Sequence, residues 1–158
     1  MTAFLRMRWL EPVLVLILAV LVTVVLSNVI GRYLLGAGIT WADEMARFLF
    51  VWLTFLGAVV GLARGAHIGM DMVVSALPAL PARALRLLAL GLMAVFLAVW
   101  GWYAVELVQR SMTFRTPALG IPRGYVVAVA PVSAGLMGLV CLHQFWRVLR
   151  GQGAVEDA

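Results

Sequence analysis

Residues 13–31 read VLVLILAVLVTVVLSNVIG, nineteen positions without one Asp, Glu, Lys or Arg. At about 1.5 Å per residue, a helix of that length with its flanks crosses the ~30 Å of hydrocarbon in a bilayer. Three further stretches share the property: Phe48 to Ala63, Leu87 to Val105 and Gly124 to Trp146. The reading that follows is all-α: four transmembrane helices over about 12–35, 41–63, 84–109 and 122–147. They form one membrane domain over 1–150, followed by a short polar tail over 151–158. Pro12 suits the first turn of the first helix, where the N–H that proline lacks would have no partner. Arg6 and Arg8 precede that helix as basic residues precede a secretory signal. The apolar block is longer than the ~7–15 residues of such a signal, and no small-x-small site closes it, so it reads as retained.

Composition agrees. Of 158 residues, 65% are hydrophobic and 12% charged, with mean hydropathy +1.06. A soluble domain carries roughly 45–50% apolar and about 25% charged residues. A water-soluble fold needs a polar exterior that this chain cannot supply. The formal charge is +5, from twelve arginines and no lysine against seven acids. The arginines are scattered between apolar blocks rather than gathered in a run, which argues for membrane topology and against nucleic acid. Cys141 is the one cysteine, so there is no intrachain disulfide and no CxxC motif.

With four spans, both termini and the middle loop share one side of the membrane. That side holds seven arginines (6, 8, 64, 83, 86, 147 and 150), against five (32, 47, 110, 115 and 123) on the other. The excess favours cytoplasmic termini.

The second helix carries its own start signals. Thr40-Trp41-Ala42-Asp43 fits a capping box, and Asp43 and Glu44 put negative charge at the positive end of the helix dipole. Trp41 suits the headgroup boundary. Arg47 is the deepest charge, about 9 Å past Trp41 at helical rise. Asp43 and Glu44 stand at i,i+4 and i,i+3 from it, the spacing of a helix-end ion pair. Beyond Ala63, the segment RGAHIGMDMVVSALPALPAR places Ile68, Met72, Val73 and Ala76 near helical spacing before Pro78 and Pro81. Two readings stand, a short amphipathic interfacial helix or an irregular connector, with the prolines as stops. Pro131 is expected to kink the fourth helix.

Chains that move ions through their own bundle hold ionisable groups near the membrane centre. None lies there in this sequence. Ser27 and Asn28, near the outer end of the first helix, suit hydrogen bonds to a neighbouring helix. Gly57 and Gly61 have GxxxG spacing for close packing within the bundle or against a partner, with Gly65 and Gly69 continuing it. His67 and His143 allow a bis-histidine haem, as in the membrane anchor of a redox complex. A small proton-coupled exporter would need an embedded acid, and Glu106 lies near the outer end. No catalytic triad or phosphate-binding loop stands out, so an enzyme is not expected.

The segment NVIGRYLLGAGITWADEMARFLFVWLTFLGAVVGLARGAHIGMDMVV resembles the signature of the small, DctQ-type subunit of tripartite ATP-independent periplasmic (TRAP) transporters. The matching positions are Arg32-Tyr33, Trp41 with Asp43 and Glu44, Arg47, Gly57, and His67-Ile68 with Asp71. TPALGIPRGYVVAVAP is similar to the family's Ile-Pro loop and to the proline within its fourth helix. The likeness covers about 28–135. Asp43 stands where Glu is more usual, Ala66 precedes His67, and Arg123 follows the Ile-Pro where an apolar or aromatic residue is expected.

The resemblance implies a non-catalytic scaffold subunit of the bacterial inner membrane, packing on a large permease subunit. That subunit would hold the sodium and substrate sites, with no cofactor in this chain. A periplasmic solute-binding protein would complete a system for uptake of an organic acid or similar solute. The candidate subunit or lipid contacts are Arg32, Trp41, Asp43, Glu44, Arg47, Gly57, Gly61, His67 and Asp71.

Overall fold

The computed structural model describes residues 7–34, 36–64 and 78–150, with Ala79 and Leu80 in backbone only. Its helices are α1 (Leu10–Leu34), α2 (Ala42–Ala63), α3 (Ala79–Ser111), α4 (Arg123–Val127) and α5 (Val129–Leu149). Four segments are long and apolar enough to cross a membrane: α1, α2, Pro81–Ser111, and Arg123–Leu149, which joins α4 to α5. The stretch between α2 and α3 expected as an interfacial helix or irregular connector, with His67 and Asp71, and the tail over 151–158 lie outside the described residues.

Charges frame each span. Along the sequence the flanking pairs are Glu11 and Arg32, Arg47 and Arg64, Arg86 and Glu106, and Arg123 and Arg147. At helical rise these pairs stand about 31, 26, 30 and 36 Å apart, close to the hydrocarbon thickness of ~30 Å. Between them the helices pair their backbone polar groups along the chain except at Pro131, and two threonine hydroxyls turn back to the helix. Thr23 donates to the Ala19 carbonyl and Thr54 to the Phe50 carbonyl, each at 2.8 Å. Lipid leaves no other partner.

The principal packing runs α1 against α2, α2 against α5, and α5 against α3. The central position of the fourth span shows in its burial, 39% of its window against 6% for α1. In the core its Val129, Val140 and Cys141 lie with Val59 and Val60 of α2 and Leu97 of α3. Phe55 of α2 also stacks on Trp100 of α3, with ring centroids 5.7 Å apart. Lipid offers little hydrophobic drive for helix association, so close approach at small residues does more of the work. A Cβ on Gly101 would stand 3.3 Å from the Ala134 Cβ, which marks the tight crossing of α3 and α5.

Two prolines behave differently from expectation. Pro78 is the N-cap of α3, and Pro81 lies inside its first turn rather than stopping a helix before it. First-turn N–H groups have no intrahelical partner, so proline costs little there. The helix therefore begins at Ala79, ahead of the expected 84, and runs to Ser111. Pro131 interrupts the fourth span at Ala128, where φ −58° and ψ −22° keep the chain near-helical. The ring denies the Val127 carbonyl, four residues upstream, its usual donor, which accounts for the break at Ala128 just after it. Just beyond it, the buried Ser133 hydroxyl donates to the Val129 and Ala130 carbonyls at 2.7 and 3.0 Å.

Candidate functional site

At one end of the bundle lie the α1–α2 connection and the α3–α4 loop, called here the hairpin end. The first connection is organised by Asn28, which is 5% exposed. Its Oδ1 accepts from the Ile39 N–H at 2.9 Å, and its Nδ2 donates to Asp43 Oδ1 at 2.8 Å. The Gly31 carbonyl accepts from the Ala37 N–H at 3.1 Å. That approach needs glycine, since a Cβ on Gly31 would meet the Ala37 oxygen at 2.9 Å. Ser27, expected to act beside Asn28, is exposed, and its hydroxyl bonds to none of the described residues.

The α3–α4 loop is a narrow turn. An isolated antiparallel bridge pairs Arg115 with Pro122, and the Thr116 N–H donates to the Ile121 carbonyl at 2.9 Å. Gly120 takes φ +67°, a conformation that suits glycine. Buried Thr116 accepts from the Ile121 N–H at 3.2 Å through its hydroxyl. Glu44 of α2 then closes on the tip. Its Oε2 accepts from the N–H groups of Ala118 at 3.1 Å and Leu119 at 2.8 Å. One carboxylate joins the two loops.

These partners overturn two local expectations. The N-cap of α2 is Trp41, and no side chain caps the helix, so the Thr40–Asp43 capping box does not form. Asp43 turns instead to Asn28 and to Arg32, whose Nη2 stands 3.7 Å from its Oδ2. Arg47 pairs with neither acid. The reason is competition: a carboxylate that meets fixed backbone N–H groups or a buried amide gains charge-assisted bonds without ordering a second long side chain.

Arg47 faces a cleft of 460 Å³ between the start of α2 and the start of the fourth span. Thr40, Asp43, Glu44, Thr116 and Arg123 contribute polar lining, and Phe48, Val126 and Val127 are among its apolar residues. In the sequence Arg123 stands out only as a departure from a family pattern, and nothing local pairs it with Arg47 across the fold. Trp41, Tyr33 and Tyr125 are exposed around this end, as amphipathic rings at a membrane boundary are.

Gly57 and Gly61 do not pack inside the bundle. A Cβ on either would meet nothing within 4 Å. With Thr54 and Ala58 they form an outward face of small side chains on α2. At the opposite end Glu11 of α1 pairs with Arg64 of α2 at 2.8 Å, a contact that sequence spacing does not reveal. Among the described residues no group of three or more His, Cys, Asp or Glu is placed to hold a metal. His143 is half-buried on α5.

A family model for the DctQ component of tripartite ATP-independent periplasmic transporters matches residues 6–151. The chain belongs to that family. It is 31% identical over 131 residues to a Haemophilus influenzae protein assigned as a TRAP transporter small permease, covering 81% of this chain and 79% of that one. It is 30% identical over 131 residues to the ectoine TRAP transporter small permease protein TeaB of Halomonas elongata, covering 80% and 67%. A third relative is the isethionate TRAP transporter permease protein DctMQ of Oleidesulfovibrio alaskensis, 29% identical over 135 residues. That match covers 83% of this chain but 21% of the relative, so in it a DctQ-like part is joined to a much longer polypeptide. The DctQ family thus accounts for a multi-pass membrane chain that serves as the small permease subunit of a transporter.

Proposed function

We propose that this DctQ-family subunit is a non-catalytic scaffold for sodium-coupled uptake of an organic acid or similar solute across the bacterial inner membrane. It packs on a large permease subunit that holds the sodium and solute sites, and a periplasmic solute-binding protein delivers the cargo. The observation that carries this reading is the empty middle of the spans. Each runs from one flanking charge to the next without an ionised side chain between, whereas ion-coupled carriers keep such groups at depth. The fused DctMQ relative supports a larger membrane partner. Relatives named for isethionate and ectoine indicate that the solute varies among family members. Specificity then belongs to the other components. The seven-to-five excess of arginines supports cytoplasmic termini.

Reconstitution tests the assignment. Proteoliposomes carrying the large subunit, this chain and the binding protein are expected to accumulate solute when a sodium gradient is imposed. Vesicles lacking this chain should lose most of that uptake, and vesicles with this chain alone should show none. Accumulation by this chain alone would refute the scaffold role, and uptake indifferent to replacing sodium with choline would refute the coupling.

A further inference from the structure

We propose that the cleft at the hairpin end binds the phosphate of a membrane phospholipid, gripped by Arg47 and Arg123. The inference needs only a membrane chain and does not rest on the transporter reading. The arginines differ in how they are engaged. Arg32, Arg64 and Arg110 have acids beside them. Arg83 and Arg115 donate to carbonyls at 2.7 and 3.0 Å, and Arg150 lies over the Trp146 ring. The guanidinium groups of Arg47 and Arg123 have no hydrogen-bond, ion-pair or ring partner among the described residues, and both side chains line the same cleft. The acids that share the lining are already engaged. Asp43 is held by Asn28 and Arg32, and Glu44 by two backbone N–H groups.

A guanidinium stays charged at any physiological pH, and its fork of donors matches the oxygens of a phosphate. Depth then selects the source of that phosphate. Trp41 and Tyr125, next in sequence to the lining residues Thr40 and Val126, are exposed, so the cleft lies at headgroup level. Arg47 begins about 9 Å deeper than Trp41, and its long stem lets the charged head rise toward the boundary. Phe48, Val126 and Val127 line the same space with apolar surface. A cleft with cations at headgroup height and an apolar lining suits a molecule with a phosphate at one end and acyl chains at the other. A free anion would leave the apolar lining unused.

The test uses the full chain purified in detergent, with native mass spectrometry reading bound phosphatidylglycerol. The wild-type chain should retain this lipid in preference to diacylglycerol with the same acyl chains. Arg47→Gln and Arg123→Gln should each weaken retention by roughly tenfold. Arg150→Gln, at the other end, should leave it unchanged. Inorganic phosphate should not displace the lipid. Because a variant can fail to fold, the wild-type chain supplies a second measurement. Phosphatidylglycerol should protect Arg47 and Arg123 from phenylglyoxal, mapped by peptide mass, more than it protects Arg150. Equal retention by the variants, equal retention of diacylglycerol, or absence of protection would overturn the proposal. Displacement by inorganic phosphate would assign the cleft to a free anion instead. Variants that keep the lipid but lose the large subunit would assign it to a protein partner, which also overturns it.

Discussion

Asn28 donates a 2.8 Å hydrogen bond to Asp43, tying the last turns of α1 to the first turn of α2. The same amide accepts from the Ile39 N–H, so one buried side chain serves both the helix and the loop between them. Replacing it by alanine leaves two polar groups without their partner. Asn28→Ala is expected to destabilise the chain by about 1–3 kcal/mol. Asp43→Asn keeps an acceptor for Asn28 and loses only the contact with Arg32, whose side chain is 59% exposed. An exposed pair of that kind contributes about 0–1 kcal/mol. Thermal unfolding in detergent, followed by tryptophan fluorescence, should rank the two variants in that order. Equal losses would show that the amide is not the central member.

Glu44 holds the tip of the α3–α4 loop through two backbone N–H groups. Without the carboxylate those groups turn to water. Glu44→Ala should therefore speed amide exchange at Ala118 and Leu119, while exchange in the middle of α2 stays slow. Glu44→Gln retains an acceptor and should fall between the two. Hydrogen–deuterium exchange by mass spectrometry resolves the loop from the helix. Unaltered exchange at the tip would remove Glu44 from this role.

The contact between Glu11 and Arg64 at the opposite end is as short, at 2.8 Å, yet should matter less. Its side chains are 36% and 61% exposed, so water and salt screen the attraction. Arg64→Gln is expected to lower the melting temperature less than Asn28→Ala does, by a loss that shrinks further at high salt. A larger loss that persists in salt would point to a buried contact in the membrane-embedded protein.

The spans are legible in sequence because a bilayer imposes its demand residue by residue. A helix such as α1 must be apolar along its length whatever it packs against, so hydropathy alone reveals it. Partner choice is a different kind of information. Glu44 stands three residues from Arg47, but its acceptor oxygen meets N–H groups 74 and 75 positions away. Helical spacing cannot anticipate a donor pair created by a loop turn elsewhere in the chain. Arg123 illustrates the same gap: its neighbour Arg47 comes from the folded cleft, not from any motif. Pro78 and Pro81 look like stops in the sequence because proline at the beginning of a helix and proline after the end of one are alike without the flanking geometry.

Two glycines on different faces should respond oppositely to the same substitution. Gly101 sits where α3 meets α5, and a Cβ added to it would lie only 3.3 Å from Ala134. Leucine there must push the helices apart, an overpacking penalty of about 1–3 kcal/mol. Gly61 has open space around it, so Gly61→Leu should leave the isolated chain as stable as wild type. If the small face of Thr54, Gly57, Ala58 and Gly61 receives a helix of the large subunit, that same variant should reduce its co-purification with the partner. The pairing of measurements separates folding from assembly: Gly101→Leu lowers the melting temperature of the lone chain, and Gly61→Leu lowers only recovery of the complex. Full recovery of the complex with Gly61→Leu would move the contact to another face.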